Sequence, residues 1–183
     1  MSQSDAKAGS ADIEANVLRF RELPGREANW RPLDMELPRF ERTRYAVAGR
    51  PREGTATSGL DALEAFNITY LKCAPGKGIG GHAHATPEVF IVMAGRWSVT
   101  LGPNGERSTI LEPWDIISVP PDEMHGAVNI SDQDGWIMTI NAGHGGAKIR
   151  WAPAVLAELM ARGVKVAAEE MPGEKTSGVK TGD

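Results

Sequence analysis

The sequence has a single cysteine and no long hydrophobic run, and each of these absences excludes a class of protein. Because Cys73 stands alone, an internal disulfide is excluded, and this cysteine usage predicts a reducing, cytoplasmic location. No apolar run approaches the roughly 18 residues that are needed to cross a bilayer. The N-terminal residues contain no apolar core of a secretory signal. We therefore expect no membrane-spanning or export segment.

An excess of basic charge is absent as well. The 183 residues carry a formal net charge of −4, which gives no general attraction to nucleic acid or to anionic lipid. No helix-turn-helix pattern or basic patch precedes the centre of the chain. Charged residues make up 24% and apolar residues 41%, as expected for one globular domain. The composition therefore argues against nucleic acid and membrane as partners.

Short runs rich in Val, Ile, Thr and aromatic residues follow one another in the centre of the chain. They predict seven strands: Phe66 to Leu71, Glu88 to Met93, Trp97 to Leu101, Ser108 to Leu111, Asp115 to Val119, Gly126 to Ile130 and Trp136 to Asn141. Pro103-Asn104-Gly105 predicts a tight turn, because Asn and Gly accept positive φ at little cost. Short strands with no helix between them predict an antiparallel sandwich or barrel.

The flanking regions complete the predicted organisation. We expect a disordered N-terminus at 1–12, a barrel with an N-terminal extension at 13–151 (core 66–141), a helix at 152–170 and a flexible tail at 171–183. The extension predicts two further short strands, Val17 to Phe20 and Arg42 to Val47. The helix is indicated by Pro153 in its first turn, Gly163 at its end, and an apolar stripe of Val155, Leu156, Leu159 and Met160.

Two of the four histidines, His82 and His84, lie close together in the chain, and a third, His125, precedes the predicted strand Gly126 to Ile130. In a strand, side chains alternate between faces, so His82 and His84 share a face and Glu88 keeps the same parity. His125 then has to arrive from a different strand. A lone histidine in a strand is more often a hydrogen-bonded structural residue, but here three histidines and a carboxylate have to coincide. The pattern predicts a metal site formed by His82, His84, Glu88 and His125.

This donor set restricts the metal and its ligand. Imidazole suits Zn, Cu, Fe, Ni and Mn, and a carboxylate adds preference for the harder ions of that series. Four protein donors leave two positions of an octahedral ion open for a bidentate substrate, or for a substrate and dioxygen. A divalent ion with one carboxylate keeps a net charge near +1, so we expect a small, anionic organic ligand.

The spacing of these residues is similar to the sequence motifs of the cupin family. The first motif matches at each defined position, namely Gly76, His82, His84, Glu88 and Gly95, and the second is represented by Pro120, His125 and Asn129. The resemblance covers about residues 66 to 141. Together with the strand spacing it implies an all-β double-stranded β-helix, a jelly-roll barrel, with the N-terminal extension and one C-terminal helix. It also implies one divalent metal ion held by His82, His84, Glu88 and His125, and a homodimer.

The second motif departs from the family pattern at two glycine positions. The chain has Trp114 where the motif opens and Asp122 before the histidine. Asp tolerates the left-handed region better than most residues, so the turn before His125 is expected to survive. Pro113-Trp114 is expected to form a type I turn, which needs no positive φ.

Several residues are candidates for the surroundings of the metal. Phe90, Val92 and Trp97 are expected to face the barrel interior with Val99, and Trp136 and Met138 are candidates from the last strand. They predict either an apolar substrate pocket or simply a filled barrel. His144, in a glycine-rich loop, is either a lid residue or base near the metal, or an exposed loop histidine. Cys73 is expected to be a buried hydrophobe. Asp122 and Glu123 are expected to be solvated rather than proton shuttles.

Three functions remain open at this point. The resemblance to single-domain quercetinase-like cupins implies an oxygenase that acts on a small enolic, phenolic or carboxylic substrate, with Glu88 as a possible base. A metal-dependent isomerase or hydrolase would need the same residues. A non-catalytic module that binds a small molecule or a metal is the alternative from a different class, and a structural or storage role without metal is a third.

Overall fold

Ten short strands in two sheets make up most of the part of the chain that the structure describes. The structure is a computed structural model, and it describes residues 17–23, 32–49, 60, 65–143 and 148–166. The strands are β1 Thr43–Ala48, β2 Phe66–Cys73, β3 Gly78–Ala83, β4 Glu88–Ala94, β5 Trp97–Leu101, β6 Arg107–Leu111, β7 Ile116–Val119, β8 His125–Asn129, β9 Gly135–Ala142 and β10 Arg150–Trp151. One helix, α1 Pro153–Ala161, follows them, and 3₁₀ segments at Phe20–Glu22, Leu33–Glu36 and Pro38–Phe40 precede them.

Both sheets have five strands, and the strands pair in antiparallel fashion. The first sheet has the order β1-β2-β9-β4-β7, and the second has the order β10-β3-β8-β5-β6. Strands that follow each other in sequence therefore often lie in opposite sheets, as β3 and β4 do, while β8 and β9 return beside them. This is the jelly-roll arrangement, and it confirms the predicted fold class.

The seven predicted central strands are all present, with ends shifted by a residue or two, and β1 confirms the strand that was expected from Arg42. The strand expected at Val17 to Phe20 is wrong, since a 3₁₀ segment begins at Phe20 instead. β3 is predicted only around its histidines, because it is rich in glycine. A Cβ at Gly78 would lie 1.9 Å from the carbonyl oxygen of Ala127 on β8, so the close pairing of these strands excludes a side chain there.

The barrel is filled by apolar side chains from both sheets. In β4 the burial alternates, so that Phe90 and Val92 point inward on the same side as Glu88. Trp97 and Val99 point inward from β5, and all four are fully buried. The lone Cys73 is also buried, in the same apolar cluster, as expected. Burial raises the pKa of the Cys73 thiol to about 12.

A second apolar cluster holds α1 against the N-terminal segment and one end of the barrel. Leu156 and Leu159 of the helix are buried there with Trp151. The helix ends in a Schellman motif: Gly163 has φ of +77°, its N–H donates to Met160, and the N–H of Val164 donates to Leu159. The helix is therefore shorter than the predicted segment 152–170. Met160 is 56% exposed and does not belong to the buried stripe, contrary to the prediction.

A buried ion pair ties the N-terminal segment to the second sheet. Asp34 and Arg42 form a bidentate pair, with Oδ2–Nη1 at 2.8 Å and Oδ1–Nη2 at 3.1 Å. Arg42 also donates to the carbonyl oxygens of Phe40 and Gly78, and the N–H of Gly80 donates to Asp34 Oδ2 at 2.8 Å. Asp34 is completely buried. We call this group the Asp34–Arg42 pair.

Some predictions fall on residues outside those that the structure describes, among them the termini at 1–12 and 171–183. Within the described ranges, no helix is long and apolar enough to cross a membrane. The cytoplasmic location and the homodimer stay predictions.

Candidate metal centre

Four polar side chains meet at one end of the barrel interior, and they come from both sheets. His82 is in β3, His84 is the first residue after it, and His125 begins β8, the neighbour of β3. His82 and His125 are paired directly across these strands. Glu88 begins β4 in the opposite sheet. The structure thus brings together all four predicted residues, which we call the His/Glu cluster.

The route by which Glu88 reaches this cluster differs from the prediction. Parity along one continuous strand was expected to place it beside the two histidines. In the structure the turn at residues 85–87 separates β3 from β4, and the chain crosses from one sheet to the other. Glu88 therefore faces the histidines across the barrel, which lets the four donors surround a point.

The donor atoms are as close as ligands of one ion. Glu88 Oε2 lies 2.8 Å from His125 Nε2, 3.2 Å from His84 Nε2 and 3.5 Å from His82 Nε2. All four donor atoms lie within 4.8 Å of one another. Two ligands at right angles on one ion, with bonds of about 2.1 Å, are separated by about 3 Å. The observed distances agree with that separation.

Hydrogen bonds outside the cluster set the orientation of each ring. The Nδ1 atoms of His82, His84 and His125 lie 2.9, 3.2 and 2.9 Å from backbone carbonyl oxygens, those of Gly80, Lys148 and Glu123. A carbonyl oxygen only accepts, so each Nδ1 carries the proton. In the neutral imidazole Nε2 then presents its lone pair, which is the form that binds metal ions.

Because of the same hydrogen bonds, the side chains of the cluster do not satisfy one another. Three Nε2 lone pairs face a carboxylate oxygen that also bears lone pairs, and acceptors repel one another at these distances without a cation between them. A divalent metal ion would supply the missing positive charge. The donor set thus fits a metal ion, with His82, His84, His125 and Glu88 as the residues that would hold it.

Burial shapes the protonation of the cluster, since all four residues are at most 7% exposed. Burial and the neighbouring His125 lower the pKa of His82 to about 4, against the raising effect of Glu88. Burial acts to raise the pKa of Glu88, but its interactions with the three histidines outweigh burial, and the pKa lies well below its usual range. A neutral imidazole and an ionised carboxylate are the states that coordinate metals.

The family model for the cupin domain matches residues 69–141. Residues 69–141 are a cupin domain. The matched span runs from β2 to β9 and contains the whole His/Glu cluster. The cluster, found from the residues and their geometry, lies at the positions where the cupin motifs have their metal ligands.

Solved structures with this fold include an uncharacterized conserved protein with a double-stranded β-helix domain from Klebsiella pneumoniae, at 24% identity over 50% of this chain and 79% of that one (TM-score 0.45). KdgF from a Halomonas species is 21% identical over 56% and 81% (TM-score 0.45). An RmlC-like cupin from Shewanella frigidimarina is 16% identical over 69% and 88% (TM-score 0.47). No curated protein matches the sequence.

The two unusual residues of the second cupin motif both adopt a glycine-like backbone. Trp114 has φ of +77° and Asp122 has φ of +63°. The type I turn expected at Pro113-Trp114 is wrong: Asp115 N–H donates to the carbonyl of Glu112, and positive φ at the third residue makes this a type II turn. The turn is therefore formed with a non-glycine residue in the left-handed region.

The turn at Asp122 reaches the metal centre directly, because its N–H donates to the carbonyl of His84 at 2.7 Å. The Asp122 carboxylate forms an exposed ion pair with Arg150, and Glu123 pairs with Arg107. Both carboxylates therefore form ion pairs at the surface of the cupin domain.

The predicted pocket residues divide into two groups. Phe90, Val92 and Trp97 lie in the barrel interior, and the ring of Phe90 is 5.4 Å from that of His125. Their contact with a substrate stays a prediction.

Trp136 and Met138 point the other way, which corrects the prediction for β9. Burial in this strand alternates, and Ile137 and Thr139 are the inward residues. Trp136 instead packs on the outer face against Tyr45 and Phe20, with ring centroids 5.5 Å apart in both cases. His144, the remaining candidate, lies outside the described residues.

Sequence reasoning missed three residues that surround the cluster. Asn141 donates through Nδ2 to Glu88 Oε1 at 2.8 Å. Trp151 is paired with His82 across β10 and β3, and the two rings are 5.7 Å apart. Thr86 lies in the turn between His84 and Glu88. For Thr86, its place within the first motif was an available signal, whereas the other two needed the strand register.

Proposed function

We propose that this cupin domain binds one divalent metal ion through three histidines and Glu88 and is an oxygenase for a small, anionic organic substrate. The observation that carries the proposal is the orientation of the rings. Each Nδ1 is bonded to a carbonyl oxygen, so that three Nε2 atoms converge on one carboxylate oxygen. Iron, manganese, nickel, zinc and copper all suit this mixed donor set.

The metal would supply Lewis acidity and a template that holds substrate and dioxygen side by side. The protein supplies rigidity, since His82, Glu88 and His125 lie on strands and His84 lies one residue beyond a strand. It also keeps water away from the cluster, because the cluster lies next to the apolar interior around Phe90. A single carboxylate among three neutral imidazoles leaves positive charge on a divalent ion, which favours an enolate, phenolate or carboxylate as ligand.

Glu88 is the residue that we propose for proton transfer. Its Oε2 faces the donor atoms of the histidines, so it lies where the ionisable oxygen of a bound substrate would be. Its Oε1 accepts a hydrogen bond from Asn141, which holds the carboxylate in place. When it is not firmly bound to the metal ion, this carboxylate can accept the proton of an enol or phenol as the substrate binds.

A second candidate is a metal-dependent isomerase or hydrolase, in which the metal polarises a carbonyl group. It is favoured by the engagement of both Glu88 oxygens, one with Asn141 and one with the histidines. Such a carboxylate is held firmly as a ligand, which suits Lewis-acid chemistry without dioxygen.

The test begins with elemental analysis of protein purified without an affinity tag or chelator, followed by oxygen uptake with a panel of enols and catechols. About one metal ion per chain with substrate-dependent oxygen consumption is the expected result. Bound metal without oxygen uptake would favour the isomerase or hydrolase, or a non-catalytic binding module. Absence of metal after reconstitution with each candidate ion would overturn the proposal.

A histidine substitution shows whether the metal is held where we propose. His84→Ala should lose the metal and lower the melting temperature only when metal is present. Asp134→Ala is the control, because it removes a carboxylate of an exposed ion pair with Lys72 and should leave the metal content unchanged. If His84→Ala keeps a full equivalent of metal, the proposed ligand set is incorrect.

A further inference from the structure

Three buried polar atoms next to the His/Glu cluster have no hydrogen-bond partner in the part of the chain that the structure describes. They are Thr86 Oγ1, Asn141 Oδ1 and Trp151 Nε1. The one other such atom in the described residues is Arg42 Nε, whose two terminal nitrogens donate to Asp34. Unpartnered buried polar atoms are thus concentrated around the metal centre.

Asn141 and Trp151 contact members of the cluster, and Thr86 lies in the segment that joins His84 to Glu88. The Asn141 amide nitrogen donates to Glu88, so its Oδ1 is the free acceptor end of the same amide. Trp151, which is 1% exposed, lies beside His82 with the rings 5.7 Å apart. Thr86 lies next to the end of β9, where Pro87 accepts a hydrogen bond from Ala142.

Buried polar atoms are nearly always paired in native proteins, because an unmade hydrogen bond leaves the cost of desolvation uncompensated. The barrel follows this rule elsewhere. The indole N–H of Trp97, also fully buried, donates to the carbonyl of Ala94 at 3.0 Å. The exceptions beside the metal centre therefore indicate groups that are paired when a ligand is bound.

We propose that these three atoms are the hydrogen-bonding sites for the substrate, and that the substrate is a small hydroxy acid. This inference rests on the proposed function, since an oxygen of the ligand binds the metal ion. Asn141 Oδ1 requires a donor, such as a ligand hydroxyl. Trp151 Nε1 requires an acceptor, such as a carboxylate or carbonyl oxygen, and Thr86 Oγ1 pairs with either.

The apolar residues of the barrel support a polar ligand over an aromatic one. Phe90, Val92 and Trp97 are fully buried within a single packed cluster. Their surface is already covered by protein, so they leave no apolar wall for a flat aromatic ring. The recognition groups still unused beside the metal centre are the polar ones.

The test measures binding of malate and succinate to the metal-loaded protein by calorimetry, since these acids differ by one hydroxyl group. Malate should bind about 10-fold more tightly than succinate, because its hydroxyl group adds one net hydrogen bond to the protein and one contact with the metal. Because the hydroxyl of malate also chelates metal ions, variants decide which part comes from the protein. Thr86→Val removes only a hydroxyl in nearly the same volume, and Trp151→Phe removes the indole N–H.

Each variant should bind malate about 3- to 10-fold more weakly with its metal content unchanged. Thr86→Val should also leave the urea midpoint of the metal-free protein unchanged or higher, whereas loss of a structural hydrogen bond would lower it. Trp136→Phe, on the outer face, is the matched control and should bind malate like the wild type.

Wild-type malate affinity in both Thr86→Val and Trp151→Phe, or catechol binding tighter than malate binding, would overturn the inference. The outcome is separable from that of the proposed function. Selective malate binding without oxygen uptake sustains this inference and contradicts the oxygenase, whereas oxygen uptake with catechols alone does the reverse. A protein that binds no metal overturns both.

Discussion

The molecule buries two groups of charged side chains, and they are satisfied in opposite ways. In the Asp34–Arg42 pair, a carboxylate meets a guanidinium, and nearby backbone groups take up most of the remaining hydrogen bonds. In the His/Glu cluster, a carboxylate meets three imidazoles whose protons point away from it, toward carbonyl oxygens. The first group is neutral, and only Arg42 Nε in it lacks a partner. The second has a net charge that a cation would balance.

The difference separates a structural role from a binding role. A buried ion pair balances its own charge, and this one joins the N-terminal segment to β3 through Gly80. A buried carboxylate that faces only lone pairs is costly in the folded chain and gains from a metal ion. Burial alone does not distinguish the two groups, since both are almost completely buried. They differ in the direction of their N–H groups, which point toward the carboxylate in the Asp34–Arg42 pair and away from it in the His/Glu cluster.

The largest expected effect is on the Asp34–Arg42 pair. Asp34→Ala should lower the free energy of unfolding by about 3–5 kcal/mol, because it leaves the Arg42 charge buried without its partner. Urea unfolding in the presence of a chelator measures this without a contribution from metal. Asp134→Ala, which breaks the exposed pair with Lys72, is the matched control and should change stability far less. Equal effects of the two substitutions would contradict the contrast.

Next in size is the effect of Glu88→Gln on the His/Glu cluster. Removal of the ligand charge should weaken metal binding by at least about 100-fold. That is the largest loss typical of residues that only hydrogen-bond to a metal ligand, and a ligand itself should matter at least as much. Without metal the variant should be as stable as the wild type or more stable, because an amide N–H can donate to a histidine Nε2. Competition with a chelating dye and urea unfolding of the metal-free protein are the measurements. A large loss of metal-free stability would show that Glu88 is structural.

Glycine substitutions in the second cupin motif should change the free energy of unfolding by a smaller amount, and independently of both charged groups. Trp114→Gly should raise the free energy of unfolding by about 1 kcal/mol, because Trp114 has φ of +77° and is 78% exposed. Asp122→Gly should gain less, since Asp accepts this conformation and Asp122 pairs with Arg150. Chemical unfolding of both variants measures the difference. A gain at Asp122 larger than at Trp114 would contradict the assignment of strain.

The smallest effect expected is on the labelling of Cys73, which is sensitive to the charges of the Asp34–Arg42 pair. Burial raises the pKa of its thiol to about 12, and the charges of Arg42 and Asp34 act on it in opposite directions. A negligible fraction of thiolate is then present at pH 8, so a thiol reagent should fail to label the folded protein with or without metal. Asp34→Ala should make Cys73 reactive, and Glu88→Gln should not. Labelling that depends on metal would show that the two groups are coupled.

Much of the fold and of the metal centre followed from local patterns. β4 and β5 were predicted because β-branched and aromatic residues are bounded by turn residues, and a two-residue period placed Phe90 and Trp97 inside. The same logic failed at β9, where Trp136 to Ile140 are nearly all apolar. Such a run does not say which side faces the barrel, and its pairing with β2 and β4 decided it.

Other features had no local signal. β3 was assumed only around its histidines, because three of its six residues are glycine, and its strand conformation depends on close approach to β8 and Asp34. Asp34 and Arg42 lie on either side of a 3₁₀ segment with no periodic pattern, so nothing along the chain indicates that they pair. The left-handed φ of Trp114 was missed because propensity argues against it, and a type II turn imposes it.

By itself the sequence determined the class of fold, the four residues of the His/Glu cluster and the absence of an internal disulfide, because residue type, spacing and alternation carry that information. The tertiary structure alone decided that Glu88 approaches from the opposite sheet, that the imidazole protons point outward, and that Thr86, Asn141 and Trp151 surround the centre with unpaired polar atoms. These features depend on strand register and on hydrogen bonds between residues distant in the chain, which no local pattern records.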